Sequence, residues 1–199
     1  MSLINAFGDF ELTDPKAMRA LAHPVRLAIM EQLQRHGPAT ATGLSGAVDA
    51  SPSVVSWHLR HLAGFGLVRD WDGGEDRRQR WWQATASGFR FEAPEEDAEG
   101  SAAARQLSRQ MFARYGDLPA RWMRDAEPGL EPAWRRLAGL SNTRVVVTAE
   151  ELLAIEEAIE QVLAPYVRRK SERPPAGARG VRLMRYVLPE APEPPAERP

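Results

Sequence analysis

From residue 14 to residue 64, apolar positions recur every three or four residues, in short runs divided by proline, glycine and aspartate. That period is helical. Asp14-Pro15 predicts a first helix over about 14–22, with aspartate as N-cap and proline at the first helical position, where a missing N–H costs nothing. His23-Pro24 interrupts it. Pro24 opens a second helix over about 24–35, with Val25, Ile29 and Leu33 on one face. Gly37-Pro38 ends it, the glycine as a left-handed cap. Thr40 caps a third, short helix carrying Leu44, Ala47 and Val48. Gly43 and Gly46 weaken that helix by about 1 kcal/mol each relative to alanine, and close packing against a neighbouring helix would be a reason to tolerate them. Asp49-Ala50 forms a turn.

Ser51 then caps a fourth helix, with Pro52 at its first position. At 100° per residue, Val55, His58, Leu59 and Leu62 face inward. Ser53, Ser56, Trp57, Arg60 and His61 face outward. Gly64 and Gly66 close the helix. The outward face carries hydroxyls, an indole, a guanidinium and an imidazole, which suit base edges and phosphates better than a core. A short helix, a tight turn and a second helix with a polar outer face make a helix-turn-helix.

The period then changes. Leu67-Val68-Arg69-Asp70-Trp71 is a strand candidate, and Asp72-Gly73-Gly74 offers the positive φ angles of a tight hairpin. A second strand, about Arg77–Thr85, returns through Arg80-Trp81-Trp82. Helices followed by a hairpin predict a winged helix over residues 12–93. Glu75 and Asp76 near the wing tip would repel phosphates, so Arg77, Arg78 and Arg80 are the expected backbone contacts.

Residues 94–188 predict a mainly helical second module with a small sheet, making the chain α+β overall. Pro94–Gly100 is a polar linker. From Ser101, apolar residues Ala104, Leu107, Met111, Tyr115, Leu118 and Trp122 predict one long helix, with a kink near Gly116–Pro119. It is a candidate dimer helix, or else packs within its own chain. Arg144–Val147 is a strand candidate. Thr148 and Glu151 form a capping box for a helix whose stripe is Leu152, Ile155, Ile159, Val162 and Tyr166. Val181–Leu188 is a last strand candidate. The proline- and acid-rich tail over 189–199 is expected to be disordered. Phe112, Tyr115, Trp122, Trp134, Tyr166 and Tyr186 would suit a pocket for an apolar effector, although such aromatics are more often ordinary core.

Composition narrows the chemistry. The 199 residues contain no cysteine, which removes disulfides and thiolate metal sites. There is no apparent secretory signal and no apolar run near the roughly 18 residues of a membrane span, so a cytoplasmic location off the membrane is expected. The net charge of −1 gives no hint of a nucleic-acid partner. Local charge does: from Ser51 to Arg69 there are two arginines, two histidines and no acid. Phosphate binding needs a local positive patch, not a basic chain. No Gly-x-Ser-x-Gly, phosphate loop or HExxH is present, so the chain is not expected to be an enzyme, and no cofactor is indicated.

Two segments resemble a known family. His23-Pro24-Val25-Arg26-Leu27-Ala28-Ile29-Met30 resembles the "HPxRxxIL" segment of ArsR-type winged-helix repressors. Ser53–Leu62 is similar to their recognition-helix pattern "S-x-x-S-x-H-L-x-x-L", and Gly66-Leu67-Val68 with the arginine-rich return strand continues it. The likeness covers about residues 12–90. It implies a homodimer that binds a pseudo-palindromic operator and releases it on meeting an effector. Many relatives sense metals through cysteines on the third helix or through His, Asp and Glu on a C-terminal helix. Thr40–Val48 carries no such ligand here, which puts metal sensing in doubt.

The histidines therefore have plain roles. His58-x-x-His61 is split by about 60° on the helix, and two ligands are too few for a stable zinc site. His58 is expected to be half-buried and hydrogen-bonded, His61 to touch phosphate or base, and His23 to hold the break between helices. Ser51, Ser53, Ser56, Trp57, Arg60 and His61, with Arg77, Arg78 and Arg80, form the expected interface to double-stranded DNA, Arg60 being the best base reader. A winged helix used for protein contacts without DNA is the other reading.

Overall fold

The computed structural model describes residues 8–73, 78–93, 96–168 and 175–191. Helix α1 spans Pro15–Leu21, and the Lys16 N–H donates to Asp14 Oδ1 at 2.8 Å. Helix α2, Pro24–His36, is capped by His23, whose Nδ1 accepts the Val25 N–H at 3.2 Å. The break at His23 is thus a capped helix start. Gly37 ends α2 at φ 85° and ψ −161°. This is not the left-handed helical cap expected but a more extended conformation that is essentially open only to glycine.

A two-residue strand, β2 (Ala39–Thr40), leads into α3 (Ala41–Ser45). The Gly43 N–H donates to Thr40 Oγ1 at 3.0 Å. Close packing does not explain the glycines of this region. A Cβ at Gly46 would meet nothing within 4 Å, and one at Gly43 only the Thr40 hydroxyl at 3.4 Å. The turn that follows holds Asp49 at φ 51°, a left-handed value that no other non-glycine among the described residues adopts. A short polar side chain tolerates that conformation far better than a branched one. Helix α4 runs Pro52–Gly64, with Ser51 Oγ accepting the Val54 N–H at 3.4 Å.

The wing is antiparallel. Strand β3 (Val68–Asp70) pairs with β4 (Trp81–Ala84), setting Val68 opposite Ala84 and Asp70 opposite Trp82. Strand β2 lies on the other edge of β4. The return strand therefore starts at Trp81, not near residue 77. The ladder reaches the Trp71 N–H, which donates to the Trp81 carbonyl at 3.0 Å, so the connection is longer than a tight hairpin. Gly73 has no positive φ. Its need for glycine is a close approach, since a Cβ there would lie 2.5 Å from the Trp71 ring. Gly74, Glu75, Asp76 and Arg77 lie outside the described residues.

A pairing that the sequence did not announce ties the ends of this domain together. Strand β1 (Phe10–Leu12) runs parallel to β5 (Phe89–Phe91), Phe10 opposite Phe89. The core beneath gathers Leu12, Met18, Leu21, Ile29, Leu59 and Trp82. It does not stop at residue 93. Helix α5 (Ala98–Tyr115) lies against α1 and contributes Ala103 and Leu107 to the same core. It starts three residues before Ser101 because Asp97 caps it, Oδ1 accepting the Gly100 N–H at 2.9 Å.

The single helix expected through Trp122 is two. It breaks at Gly116-Asp117, and α6 follows over Leu118–Asp125. A 3-10 turn (Glu127–Gly129) and α7 (Pro132–Arg135) lead to α8 (Ala149–Arg168). The capping box is formed: the Glu151 N–H donates to Thr148 Oγ1 at 3.1 Å, and the Thr148 N–H to Glu151 Oε2 at 2.8 Å. The strands expected at 144–147 and 181–188 are not formed, so among the described residues the small sheets lie in the first half of the chain. A β-branched run makes a strand only when a neighbour completes its ladder, and these runs have none. The stripe of α8 is also less covered than expected. Leu152 and Ile159 are half-buried, whereas Ile155, Val162 and Tyr166 are exposed.

Two outcomes are expected in urea unfolding. Leu107→Ala costs about 2–5 kcal/mol in the transition of the winged domain, because it opens a cavity in a shared core. An unchanged midpoint would place α5 outside that core. Asp49→Val costs about 1–2 kcal/mol from its left-handed backbone, and Asp49→Gly does not.

Candidate nucleic-acid interface

Helix α4 owes its orientation to its apolar side. Val55, Leu59 and Leu62 are completely buried, and His58 retains only 4% of its exposure. All four inward positions are as expected. The other face is open: Ser51, Ser53, Trp57 and Arg60 are exposed, and Ser56 and His61 are half-buried. Ser51 has two tasks within reach, since its hydroxyl caps α4 and lies 3.0 Å from that of Ser53. Trp57 is 54% exposed. Its ring stacks on His61 at 5.6 Å and meets His58 edge-on at 4.8 Å. These contacts are with its own helix and leave one face of the indole bare.

Beside this face lies a cleft of about 240 Å³, lined by Thr40, Ala41, Thr42, Ser56, Arg60, Gln79, Arg80 and Trp82. The start of α3, the outer face of α4 and the approach to β4 thus meet at one polar notch. Thr40, Thr42 and Gln79 were not among the expected contacts. The N-cap role of Thr40 was the available signal, because a helix that starts beside α4 brings its first hydroxyls there.

The wing arginines differ from one another. Arg78 is exposed. Arg77 lies outside the described residues. Arg80 is not a free cation. Its Nε donates to Asp70 Oδ1 at 2.5 Å, its Nη2 donates to Asp70 Oδ2 at 2.9 Å, and its guanidinium lies 4.2 Å from the Trp82 ring centre. The hydrogen bond from Arg80 draws the Asp70 carboxyl below its usual range, and Asp70 raises Arg80 in return. A bidentate pair is geometrically specific, so Arg80 reaches the cleft with its charge already shared. The signal was in the hairpin: Asp70 and Arg80 flank the same turn.

Under α4 sits a basic, aromatic cluster. The His23 and His58 rings are 4.7 Å apart. His58 Nδ1 is buried without a hydrogen-bond partner, as are Arg26 Nε and Nη1. His58 is therefore neither half-buried nor hydrogen-bonded through Nδ1, as expected from sequence. Burial lowers its pKa to about 4, and the positive charge of His23, Arg26 and His61 adds to the effect. Burial lowers His23 and His61 as well, with Arg26 contributing. Among the described residues no group of three or more His, Cys, Asp or Glu is placed to hold a metal ion.

In the second half, Glu31 on α2 receives Arg114 Nη2 at 2.7 Å and Arg182 Nη2 at 2.6 Å. Burial would raise this carboxyl, but the two guanidinium groups outweigh it and hold it low. Phe112 stacks on Tyr186 at 5.6 Å, and Trp134 lies under Arg179 at 4.8 Å. Phe112, Tyr166 and Tyr186 stand exposed instead of lining an enclosed pocket. No helix among the described residues is long and apolar enough to cross a membrane.

The histidine cluster gives stability a pH dependence. A pKa lowered on folding means that the unfolded chain binds more protons between the two values. The contribution of His58 is complete above its ordinary value of 6.5 and is lost as pH falls towards about 4. Urea midpoints measured between pH 7.5 and 5 should fall with pH, and less steeply for His58→Phe. Equal slopes for both proteins would show that His58 is not the buried titrating group.

Sequence and structure comparisons bear on this region. Residues 21–70, about a quarter of the chain, match the family described as "Helix-turn-helix domain". No curated protein matches the chain. Among solved structures, a possible transcriptional regulator for arsenical resistance is 27% identical, covering 55% of this chain and 95% of its own, with a TM-score of 0.31. The YusO protein from Bacillus subtilis is 15% identical, covering 74% of this chain and 82% of its own, with a TM-score of 0.32. A MarR family regulator from Neisseria meningitidis is 18% identical, covering 74% and 79%, with a TM-score of 0.30. The matched segment begins at the end of α1 and closes with β3, enclosing α2, α3 and α4: residues 21–70 form a helix-turn-helix domain.

Proposed function

We propose that this protein is a sequence-specific DNA-binding transcription regulator, acting as a homodimeric repressor of the ArsR type on a pseudo-palindromic operator. The observation that carries this reading is the division of α4. One side is sealed into the core by Val55, Leu59 and Leu62, and the other presents Ser53, Trp57 and Arg60 exposed, with His61 half-buried beside the indole. A helix of this kind enters the major groove, where its side chains reach base edges.

The roles follow from chemistry. Arg60 carries a planar fork that matches the acceptors of guanine. Trp57 offers an apolar face to a thymine methyl or a sugar. Ser51, Ser53 and Ser56 donate to phosphate or base, and His61 does so beside the stacked indole. Arg78 and Arg77 reach backbone from the wing, and Arg80 helps only as far as Asp70 releases it. With one unshared arginine on α4, affinity rests on two copies binding together. A small-molecule effector that shifts the two α4 helices relative to each other would release the operator. No metal or cofactor enters this scheme.

The test is binding to genomic DNA fragments at several salt concentrations. A regulator protects two half-sites about 10 bp apart centre to centre, and its affinity falls steeply with salt. Failure to prefer any fragment over random DNA would favour a winged helix used for protein contacts. Two variants sharpen the outcome. Arg60→Ala is expected to cost about 1–3 kcal/mol and to relax specificity at one position. Asp70→Asn is expected to tighten binding and steepen the salt dependence by about one released counterion, because it frees Arg80. Weaker binding by Asp70→Asn would mean that the pair positions Arg80 instead of restraining it.

A further inference from the structure

The second half leaves an unusual amount of apolar surface bare. Val146, Leu183, Val187 and Leu188 are exposed in segments that belong to no sheet, and Ile155 and Val162 are exposed on α8. The Arg185–Glu156 ion pair sets the 181–188 run beside α8, and exposed apolar side chains on neighbouring elements make a candidate interaction surface. Two further features say what covers this one. First, the segments have strand-forming sequences, Arg144-Val145-Val146-Val147 and Val181–Leu188, yet lack a ladder partner. They are joined at one end, where Arg144 Nη2 lies 2.9 Å from Glu190 Oε2. Second, their charges are already spent within the chain. Arg182 binds Glu31 at 2.6 Å and Arg185 lies 3.4 Å from Glu156. Both arginines of the run are thus held by acids of their own chain, which leaves its apolar side chains as the unpartnered groups.

We infer that residues 181–188 form an antiparallel strand against the same segment of a second copy, so that two chains complete one sheet across their C-terminal halves. The inference deepens the homodimer reading above and rests on it. An isologous contact must be self-complementary. Pairing this run with itself about Met184 meets that condition: Met184 faces Met184, Leu183 faces Arg185, Arg182 faces Tyr186 and Val181 faces Val187. No arginine meets an arginine. At the two-residue period of a strand, Arg182 and Tyr186 share the side that already touches Glu31 and Phe112. Val181, Leu183 and Val187 then share the other side, where the bare face of α8 and the Val145–Val147 run are available to be covered. The helix first expected to make the dimer, α5, has Ala103 and Leu107 committed to its own core, which leaves the C-terminal segment as the better candidate.

The test combines sedimentation of the full chain over a range of concentrations with amide hydrogen exchange. The expected result is a dimer in which amides of 181–188 exchange slowly, and faster on dilution below the dissociation constant. Met184→Pro removes a ladder N–H from the middle of the run, and it is expected to raise the dimer dissociation constant about tenfold or more, with the tryptophan fluorescence of the winged domain unchanged. Leu183→Asp provides a second disruption that keeps the backbone donor. A dimer with fast exchange at 181–188, or with both variants still dimeric at the native constant, overturns the strand pairing and leaves the homodimer intact. Slow exchange independent of concentration would assign the partner strand to the same chain, and also overturns it. A monomer at every concentration overturns the homodimer reading itself.

Discussion

Sealing one side of α4 into the core is the interaction on which the rest of the structure depends. Val55, Leu59 and Leu62 each lose essentially all contact with solvent, which is worth about 1.5–3 kcal/mol per side chain. That burial fixes the rotation of the helix about its axis. Because successive residues turn by about 100°, the same rotation decides that Ser53, Trp57 and Arg60 face out. The hydroxyl caps, the left-handed Asp49 and the β2–β4–β3 sheet serve this arrangement by bringing the start of α3 and the approach to β4 together beside the outer face of the helix.

The electrostatics are restrained on both sides of α4. Beneath it, burial holds His58 neutral near pH 7 beside the Arg26 guanidinium. A charged imidazole there would be repelled by that arginine and stripped of water, which explains why its titration opposes folding. On the outer side, Asp70 shares the charge of Arg80, so the guanidinium of Arg60 is the cation that α4 itself presents there. A weakly cationic reading surface limits non-specific affinity, which scales with the number of phosphates neutralised. Under the proposed reading, discrimination would then depend on short-range contacts and on duplication of the surface in a dimer.

Much of the first half was legible because its information is local. Asp14-Pro15, His23-Pro24, Thr40 and Ser51-Pro52 each start a helix where capping chemistry says they should, and the inward set of α4 follows from period alone. Non-local pairings were not legible. Strands β1 and β5 are three residues each and nearly eighty residues apart, too short for alternation to announce and joined by a register no local rule supplies. The opposite error occurred at 144–147 and 181–188, where strand propensity was read correctly but a ladder needs a second strand. Within the site, the exposed face of α4 was legible, whereas the cleft with Thr42 and Gln79 was not, because it is assembled from three separate elements. The Arg80–Asp70 pair shows a further gap: counting arginines gives charge, and only the register gives which of them is already bound.

The most direct test of α4 as the reading element is the pattern of backbone amide shifts on adding a DNA fragment selected by the protein. If α4 enters the groove, the largest changes fall on Ser53–His61, with a second group at Thr40–Thr42 and Arg78–Arg80. The amides of α6 and α7 stay near their free positions. Changes centred on the C-terminal half, with Ser53–His61 unmoved, would contradict this assignment.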